Sequence, residues 1–455
     1  MSDSAPTVPS DIPLPLPLPA PLLTALLILF FVVHILFVNL MLGGSLLSLV
    51  FELAGLRRPR FDAIAHEISK TITVTKSMAV VLGVGPLLGI NLLYTIPFYA
   101  ANRVTGKVWL LIVPMTIAAF LLTYLHKYAW ERLREHKAIH ITIGAMAVAL
   151  FLSIPMIFLV NINLMLFPEK WRVVQEQGFL SGVLLDNVIP RYVHFILASI
   201  AGTGLFLVWY LTRPAFPLAE RLPGETRHGL RRLFYTVALI ASFIQLAAGP
   251  MVLLTLPAQG LSHLMIAHIL AGAALAVMVM WWMWLEIAKP ESAVGERLGA
   301  PFWRIVVCMG VVVLLMATGR HLYRAQALRS YQAQMAVQTI ERQKLSAHYR
   351  ANPSRPAEED PLAVMLGYPV FKQSCMACHA VDTKLVGPPL TEIARLYGSA
   401  ADDDAFIRFV RSGSGARVQR DRSVYPASMP PFSASQISDA DLRLVAELIR
   451  RAGEP

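Results

Sequence analysis

Three residues near the C-terminus carry the most specific chemistry in the chain: Cys375, Cys378 three positions on, and His379 directly after it. Two thiols at that spacing can each form a thioether to a vinyl group of one porphyrin. The adjoining imidazole is then placed to bind the iron, and the pattern reads as c-type haem attachment. A redox pair of thiols is the other reading of Cys-x-x-Cys, and the histidine that follows favours haem. Further on, Met429 stands in the run Met429-Pro430-Pro431-Phe432. A thioether opposite an imidazole raises the reduction potential of a haem iron and suits it to electron transfer, so Met429 is the expected sixth ligand. Met376, inside the attachment motif, points the wrong way for that role. The remaining cysteine, Cys308, lies in an apolar run and reads as a small buried hydrophobe. Three cysteines are too few for a disulfide framework.

The surroundings of the motif extend this reading. Gly367 and Phe371 precede it, Gly387-Pro388-Pro389-Leu390 follows as a loop to support the histidine, and Ser438 to Arg451 reads as a helix with Leu442, Val445, Leu448 and Ile449 on one face. Together these features resemble the class I cytochrome c fold over residues 361–455. The resemblance implies a small α-helical domain holding one covalent haem c between His379 and Met429.

The rest of the chain must be a different kind of structure. Of its 455 residues 56% are hydrophobic and only 15% charged, with a mean hydropathy of +0.56; a soluble protein would carry roughly a quarter of its residues as charges. Eight apolar runs account for the deficit, at about 22–54, 74–100, 108–129, 140–166, 190–212, 233–256, 262–287 and 302–323, each near the ~20 residues that cross a bilayer. The expected architecture is therefore all-α: a polytopic helical membrane bundle of about eight spans joined to the small haem domain. No Lys or Arg precedes Arg57, so the first run reads as a span and not as a cleaved signal peptide.

The formal net charge of +11 would suggest a nucleic-acid partner in a soluble protein. Here the charge sits in short loops and sets orientation, and no nucleic acid is expected. Loops after spans one, three, five and seven hold Arg57, Arg58, Arg60 and Lys70; Lys127, Arg132, Arg134 and Lys137; Arg213, Arg221, Arg227, Arg231 and Arg232; and Lys289, Arg297 and Arg304. The positive-inside rule places both termini on the outer side. In a bacterial inner membrane this puts the haem c domain in the periplasm, where such haems are attached. Residues 1–21 read as an extended lead-in, 22–324 as the transmembrane domain, 325–360 as a helical stalk and linker, and 361–455 as the haem domain.

Histidines within apolar spans are candidates for function by default. His34 lies inside span one, His194 near the outer end of span five, His263 and His268 at the start of span seven with Met265 between them, and His321 at the end of span eight beside Arg320. As a cluster on one side they point to haem ligation, since neutral imidazole is a standard haem ligand. His268 and His321 read equally well as ligands or as ordinary polar residues. Arg320 is a partner either for a haem propionate or for lipid phosphate. His66, His126, His136, His140 and His228 fall at or beyond the inner ends, where a solvated or snorkelling role is expected.

The segment from His34 through Asn39 to Gly43 resembles the first-helix haem-ligand segment of subunit I of cytochrome bd quinol oxidases. Arg191-Tyr192-Val193-His194-Phe195, followed by Gly202 and Gly204, is similar to that family's fifth-helix segment, and Gly319-Arg320 to its Gly-Arg pair in helix eight. The resemblance covers about residues 22–324 and implies one or two b-type haems, held by His194 with Met265 and by His34, and a second membrane subunit. Departures accompany it. Trp109 to Trp130 contains no Asp or Glu where the family carries two acids, Ala317 stands where a Glu holds the high-spin haem, and only a short connection joins spans six and seven where the family has its quinol-binding loop. Three functions follow, in this order: a conduit passing electrons between the periplasmic haem c and b-type haems in a respiratory chain, with a redox partner protein outside the cytoplasm; a cytochrome c-fed oxygen reductase; and a plain membrane anchor for a cytochrome.

Overall fold

The computed structural model describes residues 16–293, 295, 297–333, 365, 368–376, 378–381, 387–413 and 429–452. The expected lead-in up to residue 15, the stalk beyond residue 333, the linker and Gly367 lie outside the described residues. The described elements are all helical. The chain divides into two compact units, Met1–Ala333 and Gln334–Pro455.

In the first unit the long helices are α1 Ala20–Gly55, α2 Pro59–Leu93, α3 Thr95–Leu110, α4 Ile112–Tyr128, α5 Lys137–Leu166, α6 Val188–Thr212, α7 Arg227–Leu254, α8 His263–Ala288 and α9 Ala300–Ala327. Seven are long and apolar enough to cross a bilayer, and α3 with α4 makes an eighth, bent by 40°. The expected eight spans are therefore present with shifted bounds. The second helix starts at Pro59, well before the apolar run begins, and the third span is broken near Leu111. Within α3, Gly106 takes a positive φ of 52°, a conformation only glycine adopts freely. Helix starts follow local chemistry: Thr226 accepts from the Gly229 amide at α7, and Ser262 from the Met265 amide at α8.

Helices α1, α6, α7, α8 and α9 pack in a closed circuit, while α2 and α5 also pack on α1, and α4 packs on α5 and α2. Small residues bring these helices close. A Cβ on Gly43 of α1 would sit 2.2 Å from the Ser199 carbonyl of α6, and one on Gly204 of α6 would sit 3.0 Å from the Phe234 carbonyl of α7. Asn39 reinforces the first contact, accepting from Ser199 Oγ at 3.0 Å and, through its carbonyl, from Thr203 Oγ1 at 3.1 Å.

A hydrophobic core of this unit lies at the end bearing the arginine-rich loops. It joins Phe51, Ile64, Ile68, Leu207, Phe234 and Phe302 among others, and Cys308 packs against it as expected of a small hydrophobe. The opposite half of the circuit is packed differently. No residue of α6 between Val188 and Ser199 is buried, and none of α7 beyond Ser242.

The second unit has four described helices of more than three residues: α10 Pro369–Ser374, α11 Leu390–Leu396, α12 Asp403–Ser412 and α13 Asp439–Ala452. The α13 face expected from its spacing is the buried one, with Leu442, Val445, Leu448 and Ile449 joining Phe371, Phe406 and Val410 in one core. A Ser399–Asp402 capping box precedes α12. Gly413, at φ 67°, ends it in the left-handed conformation that favours glycine.

Candidate functional site

In the membrane unit the structure places the predicted residues on four helices of one circuit: His34 on α1, His194 on α6, Met265 and His268 on α8, Arg320 and His321 on α9. His34 Nδ1 donates to the Ala79 carbonyl of α2 at 2.9 Å, which fixes the ring and leaves Nε2 as its lone-pair nitrogen. The ring lies against Gly83, where a Cβ would come within 3.0 Å of it. His194 Nε2 accepts from the Gln245 amide of α7 at 3.1 Å, and its Nδ1 is buried without a partner. His321 Nδ1 is buried without a partner as well. Met265 is 2% exposed, and His268 donates from Nδ1 to the Leu264 carbonyl one turn earlier at 2.8 Å. Gly319 of α9 packs beside both, near the His268 Cβ and the Met265 carbonyl. The Arg320 guanidinium sits 4.8 Å from the centre of the Phe31 ring, so α9 and α1 meet through a cation–π contact.

Buried imidazole nitrogens without partners are costly. With Nε2 of His194 accepting from Gln245, its hydrogen sits on Nδ1, so a metal at this ring would have to take Nε2 and displace the amide. Neutral His34, His194, His268 or His321 and the Met265 thioether are the donors present. Ala317 is confirmed as a small buried side chain that supplies no ligand.

At the arginine-rich end the structure corrects one expectation. His126 and His140 are not solvated: they are 6% and 0% exposed and meet Glu52, also 0% exposed. His126 Nε2 contacts Glu52 Oε2 at 2.8 Å, His140 Nδ1 contacts Glu52 Oε1, and His140 Nε2 donates to the His126 carbonyl at 2.7 Å. Lys137 lies 3.5 Å from Glu52 Oε1 and donates to Asp62 at 2.6 Å. Gly144 leaves room for the His126 ring, since a Cβ there would come within 2.8 Å of Nε2. His66 stacks on Trp130, and His136 is exposed as expected. The available signal was a carboxylate, Glu52, inside an apolar run, which ranks with intramembrane histidine as a candidate.

In the second unit the motif is folded back on itself by main-chain bonds. The amides of Cys375 and Met376 both reach the Phe371 carbonyl at 2.9 Å, the His379 amide reaches Cys375 at 3.0 Å, and the Gly387 amide reaches Cys378 at 2.8 Å. His379 Nδ1 donates to the Pro388 carbonyl at 2.8 Å, so the supporting loop orients the ring and leaves Nε2 to ligate. Gly387 is required by that arrangement: a Cβ there would be 2.4 Å from His379 Cε1. Both cysteine side chains are half-buried. Met429 packs against the same core as Cys375.

Two residues that hold Met429 were not visible in the sequence. Gly413 passes so close to the Met429 carbonyl that a Cβ would meet it at 2.6 Å. Arg411 donates to the carbonyls of Phe432 at 3.1 Å and Ile437 at 2.7 Å, and pairs with Asp439. Met376 is exposed, in keeping with the role denied to it. Paired thiols, an oriented imidazole over a glycine, and an anchored thioether together fit a covalent haem c.

The cytochrome c family profile matches residues 364–452. Cytochrome c-551 of Pseudomonas denitrificans is 35% identical over 85 residues, which are 18% of this chain and 93% of that protein. Cytochrome c-552 of Nitrosomonas europaea is 35% identical over 78 residues, 17% of this chain and 69% of the relative. For cytochrome c-551 of Pseudomonas aeruginosa the values are 31% over 83 residues, 18% and 70%. The matched segment contains the whole ligand arrangement just described, and through residues 364–452 the chain belongs to the cytochrome c family.

Proposed function

We propose that the chain is a membrane-bound b/c-type cytochrome of a respiratory chain, passing electrons between a periplasmic haem c and one or two b-type haems in the membrane unit. Electron transfer itself follows from the cytochrome c family. A haem iron held by His and Met takes up and releases one electron at a raised potential. Cys375 and Cys378 anchor the haem c, His379 and Met429 ligate it, and Gly387 with the Pro388 carbonyl orients the imidazole. In the membrane unit His194 with Met265, and His34, hold haem b. His268 and His321 are further candidate ligands, and Arg320 would pair with a propionate.

The observation that supports the membrane assignment is His34 inside α1, whose Nδ1–H is spent on the Ala79 carbonyl and whose Nε2 keeps its lone pair for a metal. The loops Arg57–Arg60, Lys127–Lys137 and Arg213–Arg232 support an orientation with the haem c outside the cytoplasm of a bacterial inner membrane, facing a soluble redox partner. The bd-like order of His34, His194, Met265 and Arg320 supports a second membrane subunit.

A pyridine haemochrome spectrum of the purified protein tests this. Haem b beside one haem c per chain is expected, with haem b reduced in His194→Ala and haem c unchanged. Haem c alone would reduce the membrane unit to an anchor. Oxygen uptake by the pure protein would instead place it among cytochrome c-fed oxygen reductases.

A further inference from the structure

We propose that Glu52, His126 and His140 hold one proton between them as a buried proton-exchange site at the arginine-rich end of the membrane unit. The hydrogen-bond bookkeeping requires it. The His126 carbonyl only accepts, so His140 Nε2 carries a hydrogen. An ionised Glu52 also only accepts, so His140 Nδ1 must carry one too, and His140 is then an imidazolium. His126 satisfies Glu52 Oε2 from its neutral form, with the hydrogen on Nε2. Every contact is made once a single proton is added to a carboxylate and two neutral rings.

The charges agree. Glu52 and Asp62 are negative and Lys137 positive, which leaves one negative charge buried among α1, α2, α4 and α5. One proton brings the group to neutrality, whereas a divalent cation would overshoot it. A cation would also have to part nitrogen and oxygen atoms that are now in direct contact. Further titratable groups on the helices packed here are His66 of α2, stacked on Trp130 and near Glu131, and three lysines. Lys70 is paired with Glu67, Lys127 of α4 is bonded to Thr73, and the buried Lys76 of α2 lies over the Phe120 and Tyr124 rings of α4. Trp130 packs edge-on against both rings and keeps them apart from His66.

A cavity of about 20 Å³, room for one water, adjoins the site and is lined by His126 with Ser45, Ser48 and Thr123. Transfer breaks the His140 Nδ1–H bond and forms an O–H bond on Glu52, and loss of that proton to a water leaves one negative charge behind. This site does not depend on haem b being present.

The test uses the full-length, untagged protein in lipid nanodiscs with 15N-labelled histidine. Solid-state NMR at about pH 8.5, where ordinary imidazoles of pKa ~6.5 are neutral, is expected to show one doubly protonated ring per chain. That signal should vanish in Glu52→Gln and persist in Glu52→Asp. Neutral rings throughout, or an imidazolium that survives Glu52→Gln, would overturn the proposal. So would one non-haem metal per chain in the wild type by elemental analysis. Should Glu52→Gln fail to assemble, the wild-type ring count and Glu52→Asp decide the matter.

Discussion

The two units solve the same problem, holding reactive side chains in place, by opposite means. In the C-terminal unit the thiols and imidazole stand within five residues, and main-chain bonds from Phe371 to Gly387 shape the motif locally. In the membrane unit His34 and His321 are far apart in sequence and are carried on one circuit only because α1, α6, α7, α8 and α9 pack in a ring. Local chemistry survives sequence change as a motif. Assembled chemistry depends on how closely helices approach, and so on residues that carry no chemistry at all.

Replacing Cys375 and Cys378 together by alanine gives the largest effect: complete loss of covalent haem, read by haem staining after denaturing electrophoresis. The membrane helices should be unaffected, and a loss of the whole protein from the membrane would break the division into two units. Gly43→Ala comes next. Its Cβ would lie 2.2 Å from the Ser199 carbonyl, so α1 and α6 must separate, at a cost of about 1–3 kcal/mol. Thermal unfolding of the membrane unit should fall, and His34 and His194 should both be displaced.

Gly387→Ala is the local counterpart, also costing about 1–3 kcal/mol but confined to the His379 ring and the haem c spectrum. Equal disturbance of both units by either variant would erase the contrast.

Tyr368→Phe is a smaller change. It removes the hydrogen bond to Asp441 at 2.6 Å, worth about 0.5–1.5 kcal/mol by chemical denaturation near neutral pH. Hydrogen bonds from Ser438 and Tyr368 hold the Asp441 carboxyl below the usual range. Its contribution is therefore full above about pH 4 and is lost as acid protonates it in the folded state. Burial, with Asp441 second, raises the Tyr368 phenol, so that contribution is full below about pH 10 and lost above. The wild type should thus lose its advantage over Tyr368→Phe at both extremes. Met376→Ala should do least, within about 0.5 kcal/mol and with the reduction potential unchanged, because Met376 is exposed.

How much was legible follows the same division. Spans could be counted from hydropathy because a bilayer demands length and apolarity, and the α13 face came from helical spacing. The bounds of α2 could not be read, since Asp62, His66, Glu67 and Lys70 are charged or polar yet helical, held by tertiary pairs such as Lys137 with Asp62. His126 and His140 were misread because position near a span's end says nothing of a carboxylate arriving from α1. Arg411 and Gly413 went unseen for a like reason: their partners, Phe432 and Met429, lie well further along the chain.

Arg411 has one further consequence. A single guanidinium grips the Phe432 carbonyl, just beyond Met429, and the Ile437 carbonyl and Asp439 carboxylate at the entry to α13. The segment from Phe432 to Ile437 and the start of α13 are thus one latch. With Met429 as the proposed sixth ligand, its exchange for another ligand is timed by local unfolding of that corner, and the lifetime of the ligated state becomes a property of the C-terminal helix.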